Sequence, residues 1–243
     1  MVELLEVASH QKAGLNSLMI IDLPFGCDDY NETGYLDSLA RLKHIRIGWN
    51  RLGSNPGTKF GFDLEDALSE AHSLETFWIG FAPLARTQEY VGSDMLDAMV
   101  MKGLRDVMLS NISVSEDSIV AFLVRHGHSL RHLSLGITIS DGSWVSVFRR
   151  TSLQMKVLTQ IQLAGMIEKI EGVPMTFSPR WCSEAMDCML RGTELSEPEC
   201  YTLDKGFEEY DPFAYGCEGP RRSDGPPENG LWEDFDGNVN FCF

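Results

Sequence analysis

Apolar and polar positions along this chain repeat in one frame. "HSLETFWIG", from His72, and "HSLRHLSLG", from His128, share His-Ser-Leu and then two apolar residues separated by one variable position, ending on glycine. Midway between them stands "GLRDVMLSN", with Leu104, Val107 and Leu109 in the same places. "LNSLMIIDL" and "LKHIRIGWN" extend the series upstream, and "LTQIQLAGM" extends it downstream. The frame L-x-x-L-x-L thus begins at residues 15, 42, 74, 104, 130 and 158, with spacings of 27, 32, 30, 26 and 28. Its L-x-L core alternates with period two, which puts both apolar residues on one side of a short strand.

Between the strands the period becomes helical. After Ile112, "SVSEDSIVAFLVRHG" offers Ser115 as an N-cap and Glu116 and Asp117 in the first turn, where the helix dipole favours anions. Ile119, Phe122 and Leu123 form an i, i+3, i+4 stripe, and Gly127 supplies a stop. The stretches "FDLEDALSEAHS" from Phe62, "SDMLDAMVMKG" from Ser93 and "DGSWVSVFRRTS" from Asp141 predict further helices. A strand–helix unit of this kind covers its apolar face only by stacking on its neighbours. The pattern therefore predicts an α/β fold: a curved solenoid over residues 1–167, about six repeats long, with a parallel sheet inside and helices outside. Residues 168–193 are expected to cap its open end.

Composition changes the picture only at the C-terminal end. Residues 194–243 hold 13 acidic and 3 basic residues, so most of the net charge of −16 lies there, together with half of the prolines. This segment is expected to be a disordered acidic tail. Trp232 and Phe235 either dock back onto the body or form a short motif for a partner. So acidic a chain lacks the basic surface that nucleic acid or anionic lipid requires, which leaves proteins as the expected partners of a monomer. The longest apolar run, Ile119–Val124, is far short of the roughly 20 residues of a membrane span, and the N-terminus resembles no secretory signal. A cytoplasmic or nuclear location is expected. The six cysteines include no C-x-x-C pair and no histidine follows His132, so neither metal nor cofactor is expected.

One short motif suggests chemistry. In "AFLVRHGHSL" the triplet Arg125-His126-Gly127 resembles the phosphohistidine loop of histidine phosphatases, which would make His126 a nucleophile. That family also needs a second catalytic histidine far downstream, where this chain has none. The architectural alternative makes Arg125 and His126 surface cations at a helix C-terminus. On that reading His126→Ala changes stability by less than ~1 kcal/mol. No other catalytic motif is present, and a non-catalytic protein is expected.

The string "LKHIRIGWNRL", with Asn50 and Leu52 completing the frame, resembles a leucine-rich repeat. "SLRHLSLGITISDGSWVSVF" further resembles the repeat regions of fungal F-box-type proteins. The resemblance implies a protein–protein interaction module, with substrate recognition in a cullin-type ubiquitin ligase and a ligase adaptor as second partner. No F-box is found, so a truncated relative is expected, with an interaction scaffold unrelated to ubiquitin as the alternative. The binding surface follows from the frame, because residues between its apolar positions point to the concave face. They are His44, Arg46, Thr76, Trp78, Asp106, Met108, His132, Ser134, Gln160 and Gln162, extended by Ser17 and Met19. Trp, Arg and Met are enriched at interface centres, which makes Trp78 the expected middle of an open patch.

Overall fold

The computed structural model describes residues 16–21, 41–49, 68–69, 71–81, 90–202 and 217–218. In chain order these hold β1 (Ser17–Ile21), β2 (His44–Trp49), β3 (Thr76–Phe81), β4 (Tyr90–Val91), α1 (Ser93–Ala98), β5 (Asp106–Val114) and α2 (Glu116–His126). There follow β6 (His132–Ile139), α3 (Trp144–Thr151) with a 3-10 turn at Ser152–Gln154, β7 (Gln160–Leu163), β8 (Ile167–Ile170) and β9 (Val173–Phe177). The last elements are α4 (Pro179–Arg191), β10 (Cys200–Thr202) and β11 (Cys217–Glu218). Leu15, Asn50, Leu52 and most of the helix expected after Phe62 lie outside the described residues.

Each repeat frame contributes one strand, and β1, β2, β3, β5, β6 and β7 pair parallel in that order. One joint recurs at every step. The backbone carbonyls of Asn16, Lys43, Glu75, Arg105 and Arg131 each accept two N–H groups from the start of the next strand, at 2.8–3.1 Å. The joint aligns the frames residue for residue: Ile45, Phe77, Val107, Leu133 and Ile161 form one row, and Ile47, Ile79, Leu109, Leu135 and Leu163 another. These ten residues and the leading leucines at 42, 74, 104, 130 and 158 are all 0–4% exposed. Complete burial of such a side chain is worth ~1.5–3 kcal/mol, so the frame positions carry much of the core.

The helices close this core from one side, each packed on the next in the series α1 to α4. Ser115, Ser143 and Ser178 cap α2, α3 and α4, each hydroxyl accepting a backbone N–H two or three residues on. Glu116 and Asp117 stand in the first turn of α2. Two carboxylates from outside α3 hold its N-terminus as well: Glu116 accepts the Ser143 N–H and Glu168 the Trp144 N–H, both at 2.8 Å. Partial burial works against ionisation of Glu116, but bonds from Ser146, Ser143 and Arg150 outweigh it and hold its carboxyl below the ordinary value. Burial prevails at Glu168 and pushes its carboxyl up.

A second tier of pairing was not expected. A bulge at Ser110–Ser113, with Asn111 at φ 54°, divides β5, and β4 pairs with its far half. The sheet then forks at β6, whose first half pairs with β7 and whose end pairs with β8. β8 joins parallel to β6, β9 and β10 then add antiparallel, and β11 pairs antiparallel with β7. The architecture is thus α/β, with a mostly parallel open sheet and helices.

The boundary expected at residue 194 is early, because the fold continues through Thr202. Leu195 is buried, Trp181 Nε1–H donates to the Ser196 carbonyl at 3.1 Å, and β10 pairs with β9. The remainder of the expected tail, including Trp232 and Phe235, lies outside the described residues except for β11.

Gly142 is the residue on which the carboxylate anchor depends. Its φ is +97°, and an added Cβ would lie 2.5 Å from Glu116 Cβ. Gly142→Ala is expected to cost ~2 kcal/mol or more, through left-handed strain and displacement of Glu116. Gly103→Ala, whose Cβ would meet nothing closer than 3.9 Å, should stay within ~0.5 kcal/mol. Urea unfolding of the two variants checks the contrast.

Candidate functional site

The triplet Arg125-His126-Gly127 sits where α2 meets both neighbouring units, and each residue joins them differently. Arg125 Nη1 donates to the carbonyls of Leu96, Asp97 and Met99 at 2.7–3.3 Å, closing the C-terminal end of α1. His126 Nδ1 lies 2.9 Å from the Phe122 carbonyl, so it carries the proton, and Nε2 accepts the Met101 N–H at 3.3 Å. At Gly127 an added Cβ would lie 2.6 Å from the Gln154 carbonyl oxygen, so only glycine admits the next loop this closely. His126 is 1% exposed, which corrects the expectation of a surface cation. Burial, against the bond to Phe122, lowers its pKa to about 4. The imidazole is neutral, enclosed and bonded through both nitrogens. A nucleophile needs a nitrogen open to substrate, and the resemblance to a phosphohistidine loop stops at the letters.

The expected recognition residues all fall on strand positions facing away from the helices. Register places His44, Thr76, Asp106, His132 and Gln160 in one row and Arg46, Trp78, Met108, Ser134 and Gln162 in a second. Ser17 and Met19 extend the rows onto β1, where Met19 is exposed. The first row is hydrogen-bonded across four strands: His44 Nδ1 to Thr76 Oγ1 at 3.0 Å, Thr76 Oγ1 to Asp106 Oδ2 at 3.3 Å, and Asp106 Oδ1 to His132 Nδ1. The hydroxyl has one proton and directs it to the carboxylate, so the His44 Nδ1–H donates to the hydroxyl. In the second row the Arg46 guanidinium lies 4.5 Å above the centroid of Trp78. Ser134 Oγ is 3.5 Å from Gln162 Oε1.

The patch is less open than expected. Trp78 is 8% exposed, and Thr76 and Ser134 are also buried, whereas the other seven residues are half-buried. Trp78 stands outside the contiguous apolar core and therefore belongs to the opposite face. Its closure is a correction to the picture of an exposed aromatic, since stacking by Arg46 removes ring surface from water.

Sequence reasoning missed a third row at the rim, one residue before the strands. Lys43 Nζ pairs with Glu75 Oε1 at 2.9 Å, Arg105 approaches the other carboxylate oxygen at 3.9 Å, and Arg131 follows, its N–H donating to the Arg105 carbonyl. The hydrogen bond from Lys43 holds the Glu75 carboxyl below its ordinary value. The repeat frame already pointed to this row, because residues 43, 75, 105 and 131 share one frame position. Among the described residues there is no cluster of three metal-ligating side chains, and no helix is long and apolar enough to cross a membrane.

The chain matches no protein-family model, no curated protein and no solved structure.

Replacing His126 by alanine should cost about 3 kcal/mol, since it opens a cavity and strands the Met101 N–H. A histidine with its folded pKa below the unfolded value destabilises as pH falls. Stability should be full above pH ~6.5 and decline toward pH 4, by up to ~3 kcal/mol from this group. Glu168 runs the opposite way, because a raised carboxyl pKa means stability lost as pH rises above ~4.5. The comparison is therefore made against His126→Gln, whose urea-unfolding free energy should lack the added slope between pH 6.5 and 4.

Proposed function

We propose that the helix-free face of the sheet is the recognition surface of a leucine-rich-repeat solenoid that binds a protein and performs no catalysis. One observation carries this reading. The side chains at the two intervening frame positions stand side by side across five parallel strands, with Arg46, Trp78 and Met108 on adjacent strands at the centre. Such a surface gathers residues that are distant in sequence, and it contains the residue types that dominate binding hot spots. Within the resemblance to fungal F-box-type repeat regions, the face carries substrate recognition for a cullin-type ubiquitin ligase. A scaffold unrelated to ubiquitin would use the same face, and recovery of a cullin adaptor separates the two.

The test is affinity capture from the source cell with the full chain as bait, followed by identification of the retained proteins. Met108→Lys puts a charge in the middle of the face, whereas Val124→Lys puts one on an exposed position of α2. The first should reduce retention of a specific partner by ~30-fold, equivalent to ~2 kcal/mol, with little change in melting temperature. The second should leave retention unchanged. Equal retention by both variants would remove the face from the argument.

A further inference from the structure

We propose that the chain's own segment 228–236, "ENGLWEDFD", docks on the helix-free face and occupies the surface assigned above to a partner. This proposal rests on that reading of the face and gives it a regulatory occupant. The chemistry of that occupant is an acidic peptide bearing aromatic side chains.

Charge is the first argument. Among the described residues the two face rows carry Arg46 against Asp106, and the rim row beside them carries Lys43, Arg105 and Arg131 against Glu75, in a chain whose net charge is −16. Both acids already hold partners within the rows: Glu75 with Lys43 and Arg105, Asp106 with Thr76 and His132. Among the described residues the balance along these rows is thus positive, against the sign of the whole chain. Segment 228–236 holds Glu228, Glu233, Asp234 and Asp236 with no base.

Shape chemistry agrees with charge. Trp232 and Phe235 alternate with those acids, and the face offers the Arg46–Trp78 stack with Met108 on the adjoining strand. Aromatic rings pack well on a guanidinium and on a thioether.

The tether is the third argument. β11 fixes Glu218 beside Gln162 on β7 and runs antiparallel to it, so the direction of β11 is toward Gln160 and the cationic rim. From β11 to β2 is five strand spacings, ~24 Å. The 14 residues from Glu218 to Trp232 span at most ~50 Å when extended. Trp232 reaches Arg46 with slack to spare.

A photoreactive benzophenone amino acid in place of Trp232, and separately of Phe235, tests this in the full chain. Irradiation followed by peptide mapping should place intramolecular crosslinks on β2, β3 and β5. Their yield should fall at least ~5-fold in Arg46→Glu and in high salt, as expected for exposed charges. Arg46→Gln, which keeps a polar side chain, serves if the reversal of charge prevents folding. Crosslinks on the helices, crosslinks between two copies, or a yield indifferent to Arg46 would each overturn the proposal. Partner capture distinguishes its failure from that of the underlying reading. Loss of capture in Met108→Lys without face crosslinks removes only the docking segment. Face crosslinks with capture indifferent to Met108→Lys remove the recognition reading and leave an intrachain contact.

Discussion

A carbonyl that accepts two N–H groups is the constraint from which the rest of this structure follows. It occurs at the start of each parallel strand, at Asn16, Lys43, Glu75, Arg105 and Arg131, and fixes where the next strand begins. A slip of one residue would turn every leucine of a frame toward the opposite face. With the joint in place, fifteen apolar positions stack into rows beneath the helices. The intervening residues stack just as regularly on the other side. Core and candidate surface are therefore two outcomes of one backbone register, and neither can be rearranged alone.

The sequence made the parallel part of the fold legible because its signals are local and repeated. Six copies of a frame outweigh the ambiguity of any one, and Ser115 announces its helix by chemistry within three residues. Failures occurred where the deciding partner lies in another unit. His126 reads as a helix-end cation until the Met101 N–H, 25 residues earlier, arrives at its ring. Trp78 reads as open until Arg46, on the strand before, lies over it. β4, β8 and β10 are short and pair only because longer strands offer them an edge, which no period in their own sequence reveals. The acidic composition after residue 194 likewise hid Leu195 and β10, since composition averages over the few residues that dock.

The same dependence on neighbours explains why the structure needs charged and polar groups in its joints. Helix ends leave unpaired carbonyls and N–H groups that apolar stacking cannot satisfy. Arg125 meets this need for α1, and Glu116 and Glu168 meet it for α3, each reaching across from a different unit. Sheet register decides what lies opposite what, and these bonds decide how closely the units approach. The crossing from α2 to β6 is where both demands coincide, which is why a three-residue stretch there imitates a catalytic motif.

The fork at β6 also bears on how such an array can be extended. A stack of identical units resembles a growing polymer, in which the last strand is a template for the next. Here the outer edges of both branches are met by a reversed strand, β11 beside β7 and β9 beside β8, and β10 then restores the original direction beyond β9. A further strand–helix unit would have to pair parallel with β7 or β8, and a reversed strand already lies at each of those edges. The two reversals act as chain terminators at the level of tertiary structure. They stop the repeat from adding its next unit in register at β7 and β8.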